Sequence, residues 1–228
     1  IWILGIMSIA GISFNIVNVI LATFIFGQGD DYTIFMTEGC QHEYTYRRPI
    51  LASYKSSIIQ SALIMFVGIG TLIVSRHPAM KSLGEVTIVG MLSVVLMAYM
   101  LPPLLFKWLT TKDGKTRIHP ITLSTLFRGI PEDPVSLVRG RYIYKGQKIM
   151  KTVSANLRDS QRALSIIPDD TTNSCQITDH GYGETAILFA LTHPEVKVTA
   201  YMDDEDKARI AEISAKDFID NIEFKLES

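Results

Sequence analysis

Phe26-Gly27-Gln28-Gly29-Asp30-Asp31-Tyr32-Thr33-Ile34-Phe35 sets two adjacent carboxylates between apolar runs, and the placement of those acids decides the fold. Ile1 to Phe26 carries no charged side chain, and Thr33 to Met36 is again uncharged before Glu38. Two placements are open. In one, a single span covers about residues 2 to 26 and the acids mark the water boundary, since roughly 20 apolar residues cross a ~30 Å hydrocarbon core. In the other, Gly11 and Ser13 mark a turn and a new helix runs from near Ile16 to near Met36. That helix is about 30 Å long and holds Asp30 and Asp31 roughly two-thirds of the way along. An ionised carboxylate at such depth costs at least ~2.5 kcal/mol, so it must face a protein or water-filled interior and serve a purpose. Periodicity alone leaves the two placements even.

Ser13-Phe14-Asn15-Ile16-Val17-Asn18, followed by Gly27-Gln28-Gly29-Asp30-Asp31-Tyr32, resembles the Asp-Tyr transmembrane signature of the MMPL branch of the resistance-nodulation-division (RND) exporters. In that family a helix break precedes the tenth transmembrane helix, whose Asp-Tyr pair lies in the proton pathway. The resemblance therefore favours the second placement. It implies a proton-relay role for Asp31 and Tyr32, with Asp30 as an additional acid similar to the double aspartate of other RND pumps.

The resemblance continues downstream. Ser61-Ala62-Leu63 through Gly68-Ile69-Gly70 and Leu72 to Ser75 is similar to the eleventh helix of those exporters, and Gly84, Gly90 and Leu101-Pro102 to the twelfth. Residues 1 to about 109 are covered, and the porter domains are not.

The 228 residues are 47% apolar, and the long apolar runs fall almost entirely within residues 1 to 109, whereas 110 to 228 read as a water-soluble protein. A net charge of −1 indicates no strongly basic face and argues against nucleic-acid binding. Cys40 and Cys175 lie far apart, which makes a disulfide framework unexpected, and no metal-ligand spacing exists. The chain opens on Ile1 inside an apolar run with no basic flank or cleavage site, so it reads as a fragment beginning within a helix.

In the membrane half, Trp2 to about Ile12 is too short to span and reads as the end of a truncated helix. Ile16 to Met36 follows, with Asn15, Asn18, Ala22 and Gly29 along one stripe that favours close helix packing. Polar residues then run from Thr37 to Tyr54, where Cys40 and His42 read as surface positions. A third segment runs from about Ser56 to Ser75, and a fourth from about Gly84 to Trp108, an interfacial aromatic anchor. Arg47, Arg48 and Lys55 precede the third segment, only Arg76 and Lys81 follow it, and Lys107, Lys112, Lys115 and Arg117 follow the fourth. The positive-inside rule makes the first and last of these regions cytoplasmic. A carboxylate in low dielectric has its pKa raised and can exchange protons when its surroundings change. Tyr32, and Ser57 or Ser61 on the next helix, carry hydroxyls able to donate to a neighbouring acid.

In the soluble half, Thr110 to Pro134 has linker composition, with Lys112-Asp113-Gly114-Lys115, Pro120, Pro131 and Pro134. Its basic residues, just beyond a span, are expected near anionic lipid. A helix with Ile149, Val153 and Leu157 on one face is predicted from about Gln147 to Leu164. Beyond Ser174 the pattern predicts βαβαβ and a parallel sheet: strands at Cys175 to Thr178, Val196 to Tyr201 and Ile222 to Leu226, helices at Glu184 to Thr192 and Asp203 to Ala215.

Asp179-His180-Gly181-Tyr182-Gly183-Glu184-Thr185 resembles motif I of S-adenosylmethionine-dependent methyltransferases, which implies cofactor-binding roles for Asp179, Gly181 and Gly183. Thr185 replaces the third glycine, Met202 stands where that family has its ribose-binding acid, and Asp203 comes one residue late. The sheet also stops at about three strands. A partial, degenerate domain is expected.

The expected fold is thus an α-helical membrane bundle, about three complete transmembrane helices plus a truncated one, followed by a partial α/β Rossmann-like segment. The expected division is 1–109 as transmembrane region, 110–170 as cytoplasmic linker with an amphipathic helix, and 171–228 as methyltransferase-like domain. The functional expectation is part of a proton-driven exporter of lipid or another hydrophobic molecule in the bacterial inner membrane, multi-pass, with its tail in the cytoplasm. A membrane-tethered methyltransferase and a non-transporting, sterol-sensing-like scaffold are the alternatives. Transport would need no cofactor beyond the proton motive force, and S-adenosylmethionine binding is expected to be weak or absent. The expected partners are membrane lipids, a hydrophobic substrate and an N-terminal part of the same transporter, with no nucleic acid and no metal.

Overall fold

A computed structural model describes residues 5, 8, 9, 11, 16–164 and 174–227. The truncated segment expected from Trp2 to Ile12 lies almost wholly outside these residues, as does Asn15. The chain divides into two compact units, one formed by Ile1–Cys40 and Pro49–Phe106, the other by Gln41–Arg48 and Lys107–Ser228.

The first unit is helical. Helix α1 (Ile16–Tyr46) runs through the acidic pair without interruption, which favours the second of the two placements. It also runs ten residues past the expected end near Met36, and stops where Arg47 turns to a left-handed φ of 52°, two residues before Pro49. Helix α2 (Leu51–Gly70) tightens into a 3₁₀ turn at Thr71–Val74, and α3 (Pro78–Thr110) carries Pro102 and Pro103 within its final turns. Leu51–Val74 and Pro78–Thr110 are each long and apolar enough to cross a membrane. Helix α1 has the length, but Asn18, Gln28, Asp30 and Asp31 break up its apolar run.

Packing between these helices depends on small residues. A Cβ on Gly29 of α1 would lie 3.3 Å from Val94 of α3, and one on Gly90 of α3 would lie 2.6 Å from Ile25 of α1. Gly84 is less forgiving, since its Cβ would meet a backbone atom, the Ile73 nitrogen, at 2.9 Å. Tyr32, Met36, Ile58, Met91 and Ala98 form the buried centre. Outward faces remain apolar, with Phe26, Ile34, Leu63, Ile64, Val67, Leu96 and Leu104 exposed. That is the pattern of helices solvated by lipid or by other helices.

The second unit is α/β. A two-residue-arm hairpin, β1 (Thr111–Lys112) with β2 (Lys115–Thr116), turns at Asp113-Gly114, both at positive φ as a type I′ turn requires. Helix α4 (Leu123–Arg128) starts with a reciprocal Thr122–Thr125 capping box, and α5 (Pro134–Gly140) with the Asp133 side chain accepting from the Ser136 amide. Helix α6 (Gln147–Leu164) buries the predicted Ile149, Val153 and Leu157 face. Strands β3 (Ser174–Asp179), β4 (Lys197–Met202) and β5 (Ile222–Leu226) form a parallel sheet in that order, linked by α7 (Glu184–Thr192) and α8 (Glu205–Ala215). Register pairs Ser174 with Lys197 and Asp179 with Met202 along one edge of β4, and Val198 with Ile222 along the other.

Residues of the 110–170 segment, expected as a linker with an amphipathic helix, contribute to this core. Val138 and Tyr142 are fully buried with Val153, Leu157, Ile187 and Ile210, and Tyr46 packs against the same cluster. Arg141 fastens the unit: its guanidinium donates to the carbonyls of Ser214 (2.8 Å), Arg117 (2.8 Å) and Lys216 (2.7 Å). Burial holds its pKa below the ordinary arginine value.

Candidate functional site

Helix α1 presents Gln28, Asp31, Tyr32 and Phe35, an i, i+3, i+4, i+7 series that shares one face. With Ser57, Ile58 and Ser61 of α2 they line a cavity of about 360 Å³. The Tyr32 ring is buried against Met36 and Ile58, and its hydroxyl lies 3.3 Å from Ser61 Oγ. Ser57 Oγ donates to the Ser53 carbonyl at 3.0 Å, which leaves its oxygen lone pairs to accept. The predicted companions of the acid are therefore brought together in one place. Asp30 is exposed, one residue and about 100° round the helix from Asp31, and does not line the cavity. A carboxylate, a phenol and two serine hydroxyls around one space can accept, hold and pass a proton, because tyrosine and serine each both donate and accept.

Cys40 is buried in α1, and His42 is half-buried with its ring 4.7 Å from that of Tyr46, so neither is the surface position expected. The reason is the extra length of α1, which carries its last turns into packed structure.

The second group of predicted residues lies at the β3–α7 turn. Asp179 is buried, and its carboxylate is taken up locally: Oδ1 accepts from the Gly181 amide at 2.8 Å, and Oδ2 from the Thr185 and Ala186 amides at 3.2 Å each. It thereby satisfies amides of the first turn of α7, a capping role. Gly183 has a φ of 81°, and a Cβ there would collide with Ala211 and lie 3.0 Å from Phe224. A Cβ on Gly181 would run into the Glu184 carboxylate, with Asn156 Nδ2 at 2.7 Å. Both glycines are explained by packing of the protein against itself. Asp203 is held by Lys207, whose ammonium reaches its two oxygens at 3.0 and 3.1 Å and the His180 carbonyl at 2.8 Å. Met202 is fully buried.

Two buried groups escaped the sequence reading. Glu184 is fully buried, accepting from the Tyr182 amide (2.7 Å) and from Asn156 (2.5 Å), and burial together with nearby Asp179 raises its pKa. Lys145 is 3% exposed in a turn whose Gly146 neighbour and polar flanks look like surface. Neither carries a spacing that announces burial.

The model of one protein family, described as the MMPL family, matches residues 1–121. No curated protein and no solved structure matches the chain.

Proposed function

Since that match covers more than half of the 228 residues, the chain belongs to the MMPL family of RND-type transporters, and from that premise we propose that it is part of a proton-driven exporter. Its cargo is lipid or another hydrophobic molecule, and its membrane is the bacterial inner membrane. Helix α1 joins α2 and α3 as a third span, with Asp31 at the cavity that α1 shares with α2. Asp31 carries the proton, Tyr32 and Ser61 relay it, and Asp30 adds a second acid at the same level.

The observation that carries this reading is the convergence of Asp31 and Tyr32 of α1 with Ser57 and Ser61 of α2 on one cavity. A charge there is costly and is retained for a function. The test is Asp31→Asn in the full-length transporter: proton-dependent export is lost, whereas unchanged export removes the proposal. A sterol-sensing-like scaffold would tolerate that substitution. A membrane-tethered methyltransferase would need the β3–α7 turn to hold its cofactor, and the local engagement of Asp179 and Asp203 speaks for weak binding or none.

A further inference from the structure

Helix α4 is amphipathic the wrong way round for a soluble surface. Leu123, Leu126 and Phe127, at i, i+3 and i+4, are 77%, 67% and 82% exposed, and Ile118 and Ile130 on either side are 46% and 58% exposed. The partly buried side is polar instead. Thr125 Oγ1 lies 3.1 Å from the Thr122 carbonyl and 3.5 Å from that of Pro120, and Thr122 caps the helix. A helix that turns threonines inward and its largest apolar side chains outward has those side chains matched to something other than water.

Its position in the chain says what covers it. After α3 ends at Thr110, the strand hairpin brings the chain back: Arg117 N donates to the Thr110 carbonyl (2.8 Å), Arg117 Nε to that of Trp108 (3.2 Å), and Ile121 N to that of Leu109 (3.2 Å). The N-cap of α4 is therefore pinned beside the last turn of an apolar helix of spanning length, where Trp108 is itself exposed. Lys107, Lys112 and Lys115 occupy the same short stretch, against a single acid, Asp113. Continuity with the span supplies the apolar surface, and the lysines supply charge complementary to anionic headgroups.

We infer that Leu123, Leu126 and Phe127 insert into the membrane interface as an in-plane anchor beside the exit of α3, with Lys112 and Lys115 engaging anionic headgroups. Apolar insertion combined with basic attraction is the general mode of interfacial helices. This rests on α3 spanning the bilayer.

The test places a single tryptophan in the whole chain, reconstituted into phosphatidylcholine vesicles brominated near the headgroup end of the acyl chains, with and without phosphatidylglycerol. The reporter is Phe127→Trp combined with Trp2→Phe and Trp108→Phe; a second protein, Trp2→Phe alone, keeps Trp108 to read the end of the span. Emission from position 127 is expected to fall by half or more in brominated lipid and to resist quenching by aqueous acrylamide. Adding Lys112→Gln and Lys115→Gln should weaken bromine quenching in the anionic vesicles only. Quenching of Trp108 without quenching at position 127 would overturn the anchor and leave the span intact. Quenching of neither would overturn the spanning premise and the anchor together. Position 127 shielded from acrylamide yet untouched by bromine would assign the face to protein, another segment or a second copy, and would equally overturn it.

Discussion

Lys145 sets burial directly against charge. Its ammonium has no hydrogen-bond partner among the described residues and faces the rings of Tyr44 at 5.6 Å and Tyr142 at 6.0 Å. Burial first, then repulsion from Arg141 and Arg47, pushes its pKa down from 10.5 to about 7. Below about pH 7 the folded and unfolded chains both hold this proton; between about 7 and 10.5 only the unfolded chain does, so stability rises with pH in that window by at most ~1.4 kcal/mol per pH unit. Tyr142 titrates above its ordinary 10.0 because of burial and stays neutral there. Thermal unfolding of the detergent-purified chain should therefore shift upward from about pH 7 to about pH 9, and Lys145→Met should be more stable at pH 7 with the slope gone. A wild-type slope that survives in the variant would assign the effect elsewhere. Gly183 is a second residue whose role is steric. Gly183→Ala should lose more than the ~1–3 kcal/mol of left-handed strain, because its Cβ also meets Ala211 and Phe224. Gly114→Ala, at a φ of 78° with nothing within 4 Å of its Cβ, reports the strain alone, and equal losses in the two variants would show that packing at Gly183 costs nothing.

At the scale of elements, the β3–α7 turn has the sequence of a cofactor loop and the internal bonding of a helix cap. Charge-assisted hydrogen bonds of about 1.5–3 kcal/mol each would have to be broken to turn the buried Asp179 toward a ligand, and Asp203 would have to leave Lys207. Calorimetric titration of the whole chain with S-adenosylmethionine is expected to show no binding at micromolar concentration. A micromolar dissociation constant abolished by Gly181→Val would reverse that reading and promote the methyltransferase alternative. The whole chain is the right sample, because Tyr46 at the end of α1 packs against the core that α6 and α7 share. Arg48 adds an ion pair to Asp206 at 2.9 Å, half exposed on both sides and so worth little.

For the whole molecule, the distribution of Lys and Arg orders the ends of the spans. Arg47 and Lys112 are expected in the cytoplasm and Arg76 in the periplasm. Cysteine substitutions probed with an impermeant thiol reagent in intact cells should react at position 76 alone, and labelling at 112 from outside would invert the scheme. Much of the architecture was legible beforehand for a physical reason: unbroken apolar runs, glycine turns and i, i+4 faces are local signals. They located α6 and the alternating strands and helices of the sheet to within two residues, and α2 and α3 to within about six. The Asp-Tyr pair was singled out by its resemblance to a family signature, since periodicity left its placement even, whereas the hydroxyls of α2 stood out as polar groups among apolar ones. What sequence by itself determined is thus which segments are apolar, which are helices or strands, and which residues are costly where they stand. Only the tertiary structure decided that α1 continues to Tyr46, that Ser61 is the hydroxyl meeting Tyr32, that 134–164 joins a core, and that Asp179 spends its lone pairs on its own loop. Each of these depends on which distant groups share a space, and burial of a charge such as Lys145 or a carboxylate such as Glu184 is a property of that space, not of neighbouring residues in the chain.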